Sequence, residues 1–90
     1  MNDETFLNEP IRVVALFKNG YQPCVPVRFR RVNGREVTVR ELGLRHPVAQ
    51  GSKTVHVFEV TDGAADYRLE FDSERLQWRL TMEADHYDAL

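Results

Sequence analysis

The sequence predicts a single all-β domain, an antiparallel meander of about six strands curled into a half-barrel or small barrel. Three observations carry this. Apolar and charged side chains alternate with period two through most of the chain. Turn dipeptides, Asn19-Gly20, Asn33-Gly34 and Asp62-Gly63, punctuate the alternating runs. No stretch shows the apolar spacing of an amphipathic helix.

A 90-residue chain holds one hydrophobic core and not two. Hydrophobic residues at 42% and charged residues at 29% are ordinary globular values, which argues against a disordered chain. Residues 1–10 are acidic and polar and read as a mobile arm, residues 11–82 as the β domain, and 83–90 as a tail or one helical turn. The arm lacks the basic start and apolar stretch of a secretory signal. The longest apolar run, Val13 to Phe17, is far too short for a membrane-spanning helix. Cys24 is the single cysteine, so no internal disulfide can form, and a cytoplasmic setting is expected.

Ile11 to Lys18 forms the first expected strand, rich in β-branched and aromatic residues. Tyr21 to Val25 contains Pro23 and runs into Pro26, which suits an edge or an extended connection. Val27 to Arg31 and Arg35 to Leu44 follow as the second and third strands. A two-residue Asn33-Gly34 loop would set Phe29 opposite Thr38 and mix polar with apolar partners. A three-residue loop, Val32 to Gly34, sets Arg30 against Glu36, Phe29 against Val37 and Val27 against Val39. Cross-strand partners share a face, so the second register is expected, with Gly34 in a left-handed bulge position.

Apolar parity then changes from Val37 and Val39 to Leu42 and Leu44. A bulge near Arg40-Glu41, or a strand end packing elsewhere, would account for this, and Gly43 suits a bend. Residues 45–53 read as loop. Thr54 to Thr61, the fourth strand, has apolar residues on both faces, which suggests a central strand or a face covered by a partner. A homodimer is therefore one expectation. Tyr67, Leu69 and Phe71 mark the fifth strand, and Leu76, Trp78, Leu80 and Met82 the sixth. A four-residue loop, Ser73 to Leu76, pairs Glu70 with Arg79 and Phe71 with Trp78. A two-residue loop would oppose Arg68 and Arg79, and like charges facing one another are destabilising. The expected core is Val13, Leu16, Val27, Phe29, Val37, Val39, Phe58, Val60, Tyr67, Leu69, Phe71, Leu76, Trp78 and Leu80.

Chemistry is sparse. His46, His56 and His86 lack metal-ligand spacing, and no phosphate-cradling glycine loop or nucleophile elbow occurs. A pairing of Cys24 with His46 or His56 has no local motif behind it. Asp85-His86-Tyr87-Asp88 reads as a solvated acidic end rather than a cation site. No cofactor, metal or catalytic residue is expected.

Charge is more informative. The net value of −2 hides a balance of +7 over residues 11–53 and −6 over residues 54–90. Arg28, Arg30, Arg31, Arg35, Arg40 and Arg45 cluster around the Asn33-Gly34 hairpin and are the candidate binding residues, for a protein partner or a polyanion. Two readings follow. Either basic and acidic strands lie side by side and neutralise one another, or the arginines form a docking face. A non-catalytic protein-binding module is the favoured function. Nucleic acid is the alternative, since basic hairpins can track phosphates. It ranks lower because the pI is about 5.9 and the aromatics sit at core positions rather than among the arginines.

The stretch Pro26 to Leu42, with Phe29-Arg30-Arg31 and Asn33-Gly34-Arg35-Glu36-Val37-Thr38-Val39, together with Tyr67-Arg68-Leu69-Glu70-Phe71-Asp72 and Trp78-Arg79-Leu80, resembles small bacterial domains of unknown function found mainly in actinobacteria. The resemblance implies a compact β-sheet domain in a bacterial cytoplasm and carries over no activity.

Overall fold

The structure, a computed structural model, describes residues 3–20 and 23–86. Seven strands occur among them: β1 (Thr5–Phe17), β2 (Cys24–Arg30), β3 (Glu36–Thr38), β4 (Glu41–Gln50), β5 (Lys53–Thr61), β6 (Ala65–Asp72) and β7 (Gln77–Asp85). All neighbouring pairs are antiparallel, in the order β3-β2-β1-β7-β6-β5-β4. The sheet curls into the expected half-barrel. No helix among the described residues is long and apolar enough to cross a membrane.

Curling follows from the passage between β3 and β4, which lie at opposite sheet edges. Val39 N–H donates to Val27 O at 2.8 Å, and Arg40 N–H donates to Thr61 O at 2.8 Å. Adjacent residues thus bind β2 and β5, drawing the two flanks together at one end. The sheet's inner face carries Phe29, Val37, Phe58, Val60, Tyr67, Leu69 and Leu80, all buried. Phe29 meets Tyr67 edge to face with centroids 5.2 Å apart, a favourable aromatic geometry. Trp78 lies 4.7 Å from Phe71 and 5.2 Å from Phe58.

Both hairpin registers match the expectation. Arg30 faces Glu36 and Phe29 faces Val37. Gly34 N–H donates to Arg31 O at 2.9 Å, Arg31 N–H to Arg35 O at 2.8 Å, and Gly34 adopts φ 88°. This is a β-turn followed by a glycine bulge. Glu70 faces Arg79 and Phe71 faces Trp78 across the four-residue turn.

Several expectations are corrected. The arm expected up to Pro10 is strand from Thr5 onward, paired with β7 from Thr5↔Glu83 to Ile11↔Trp78. Its signal was masked by the register shift between Phe6 and Glu9, which breaks strict alternation. The expected third strand is two strands, because the chain leaves β2 at Val39 and joins β5 from Glu41. Residues 45–50 are strand rather than loop, closed by a two-residue Gly51-Ser52 turn with Gly51 at φ 64°. The parity change from Val39 to Leu42, both packed against the core, falls at Arg40-Glu41 as expected, and a second irregularity at Gly43 turns Leu44 outward. Glu83 to Asp85 belong to β7 and His86 follows it, whereas residues 87–90 lie outside the described residues.

Three expected core residues are exposed: Leu16 at 53%, Val27 at 40% and Leu76 at 75%. Leu16 shares the parity of Arg12 and Val14, opposite to Val13, and so points outward. Val27 is the extra residue of a bulge, since Val14 pairs with Arg28 and Ala15 with Pro26. Leu76 closes the β6–β7 turn at φ 56° and is not in the strand. Val55 and Val57 on the outer face of β5 are buried within this one chain, opposite Val48 and His46 of β4 and Asp72 and Glu70 of β6. The two-faced apolar pattern of that strand therefore needs no second chain to explain it.

Candidate functional site

The arginines around the hairpin do not form one site. Arg31 turns to the inner face. Its guanidinium donates to both Glu9 carboxylate oxygens at 2.9 and 3.1 Å and to Glu83 at 2.8 Å, tying the turn to β1 and β7. Those bonds hold the Glu9 carboxyl below its ordinary value and push Arg31 up. Arg35 is exposed, and its backbone N–H donates to Asn33 Oδ1 at 2.9 Å, a side-chain-closed turn. Arg40 lies across Gly63, occupying the space a Cβ there would fill. Arg45 sits on the inner face of β4 opposite Phe58. Its charge acts on Cys24, yet burial dominates and pushes the thiol up, which favours the protonated form.

Arg28 and Arg30 do share a face, the outer one, and they meet a residue that the sequence reading left out. Arg12 of β1 stands directly opposite Arg30, and Val14 opposite Arg28. Leu16 extends the same row. Arg12, Arg28 and Arg30 are all exposed, with Val14 at 49% exposure and Leu16 at 53%. None of the three arginines has a carboxylate oxygen within ion-pair distance among the described residues. Glu36 faces Arg30 from β3 as a cross-strand neighbour without reaching it. Opposed like charges destabilise a sheet, so Arg12 against Arg30 is a local cost that a bound anion would offset. The signal that could have found Arg12 is its parity with Val14 and Leu16 in a strand pairing back onto β2.

Three other cations are neutralised within the chain. Lys53 binds Asp72 at 2.8 Å, Arg68 binds Glu59 at 2.6 Å, and Arg31 bridges the basic and acidic parts of the sequence. Side-by-side neutralisation thus holds for these residues, while Arg12, Arg28 and Arg30 face outward with no ion pair among the described residues.

Arg12 stands between two shallow grooves. One, about 520 Å³, lies toward the turn and is lined by Arg30, Arg31 and Val32. The other, about 410 Å³, lies toward β7 and is lined by Val13, Leu76, Trp78 and Arg79. His86 of the expected acidic tail is hydrogen-bonded to Asp66 at 2.6 Å, while Tyr87 and Asp88 fall outside the described residues. No group of three or more potential metal ligands occurs among the described residues. No family model, curated protein or solved structure matches the chain.

Proposed function

We propose that this chain is a small interaction module that binds a protein partner through the outer face of the β1–β2 hairpin. One observation carries the reading: Arg12, Arg28 and Arg30 stand unpaired among the described residues, interleaved with exposed Val14 and Leu16. Aliphatic side chains beside arginines suit a protein surface that brings both carboxylates and apolar groups. The weight on protein over nucleic acid comes from the rings, since Phe29, Phe58, Phe71 and Trp78 all sit on the inner face, and the exposed Phe17 stands at the end of the hairpin opposite to Arg12 and Arg30. A single half-buried thiol and the resemblance to bacterial β domains support the bacterial cytoplasm as the setting.

A photo-crosslinking residue at position 14 or 16, expressed in the organism that encodes the chain, tests this. The expected result is one discrete protein adduct, lost when Arg28→Glu and Arg30→Glu are combined. An adduct indifferent to charge reversal, or none at all, overturns the reading. The same arginine row favours a polyanion as the second reading. Retardation of oligonucleotides, with affinity falling steeply as salt rises, would select it.

A further inference from the structure

We infer that the partner is an extended acidic segment that adds as a strand along the free edge of β1; this rests on the module reading above. Pairing between β1 and β7 stops at Ile11↔Trp78, whereas pairing between β1 and β2 continues to Phe17↔Cys24. Val13 to Phe17 therefore carries a strand on one side and none on the other. Sheet edges are templates for further strands, and proteins blunt them with proline, charge, bulges or brevity. The other two edges are blunted in these ways. β3 spans three residues, and β4 carries Pro47, Arg45 and the Gly43 irregularity. Val13-Val14-Ala15-Leu16-Phe17 has neither proline nor charge, and Phe17 is 69% exposed.

Where β7 stops, the groove of about 410 Å³ continues the line of the missing strand. Leu76 stands on its lip, 75% exposed and at φ 56°, a backbone region where a branched side chain is unfavourable and glycine is at ease. Retaining an exposed leucine there is accounted for by contact with an occupant. Arg12 and Arg79 flank the groove, and Lys18 follows the other end of the free segment, so cations bracket it. A second copy fits poorly: antiparallel self-pairing over Val13 to Phe17 centres on Ala15 and opposes Arg12 to Lys18. An extended peptide with alternating apolar residues and carboxylates toward its ends meets both the edge and the charges.

The test is selection of binders from a displayed random peptide library against the whole chain, followed by amide hydrogen exchange on the complexes. The expected peptides alternate apolar residues, contain Asp or Glu, lose binding when a central residue becomes proline, and slow exchange of the outward amides in Val13 to Phe17 at least tenfold. Leu76→Gly is expected to weaken them tenfold or more while leaving the melting temperature unchanged or higher, which separates lost contact from lost folding. Peptides that depend on Arg28 and Arg30 but leave Val13 to Phe17 unprotected overturn strand addition and leave the module reading standing. A library that yields no binder overturns strand addition. Should the chain then show only self-association by light scattering, or only oligonucleotide retardation, the module reading falls too.

Discussion

Tyr67 shows how far a single side chain departs from the rule that places it. Its parity with Leu69 and Phe71 sends the ring into the core, where it is fully buried against Phe29. The hydroxyl goes with it and finds no hydrogen-bond partner among the described residues. Burial accordingly pushes its pKa up, since the phenolate would be poorly solvated. An unsatisfied buried hydroxyl costs about 1–3 kcal/mol, so Tyr67→Phe is expected to raise stability by about 1 kcal/mol. Urea unfolding would measure this, and a loss of stability in the variant would show that the hydroxyl has a partner after all. Alternation along the strand tells which residues point inward; it does not tell whether a polar atom at the ring's end is satisfied there.

At the scale of elements, the β2–β3 hairpin was legible because two independent signals agreed. Asn33-Gly34 located the turn, and matching Phe29 with Val37 chose between registers. Gly34 at φ 88° is the residue that makes the bulge possible. Gly34→Val is expected to destabilise by about 1–2 kcal/mol, the cost of forcing a β-branched residue into left-handed backbone, and its melting curve should shift down without loss of the folded baseline. The β3–β4 passage was legible only in part, for a physical reason. Val39 and Arg40 each donate a backbone hydrogen bond, yet the acceptor changes from β2 to β5 between one residue and the next. The parity change from Val39 to Leu42 marked a bulge or a strand end packing elsewhere, but parity alone does not name the new partner, β5. The start of β1 was hidden in a similar way, since Glu9 takes an inward position that only Arg31 makes tolerable.

At the scale of the whole molecule, the charge split resolves into two populations, and only one of them was visible as a run of letters. Arg31, Lys53 and Arg68 are used inside the fold, while Arg12, Arg28 and Arg30 are left facing out. That division depends on the sheet order, which brings β1 between β2 and β7. The internally used pairs make stability depend on pH. Arg31 holds Glu9 below the ordinary carboxyl value of 4.5, chiefly by its hydrogen bond, and Lys53 does the same for Asp72. A carboxyl whose folded pKa is depressed binds its proton more readily when unfolded. Its contribution is complete above the unfolded value and is lost as pH falls through the folded one. Urea midpoints are therefore expected to be insensitive to these groups at neutral pH and to decline below 4.5. Glu9→Gln should lower stability by about 1.5–3 kcal/mol at neutral pH, the range for a hydrogen bond to a charged group in a half-buried site. As the solution is acidified through the depressed native value and the Glu9 carboxyl takes up its proton, the gap between variant and wild type should narrow. Parallel curves across that range would place the acid sensitivity elsewhere than in the bridge that joins β1, the hairpin turn and β7.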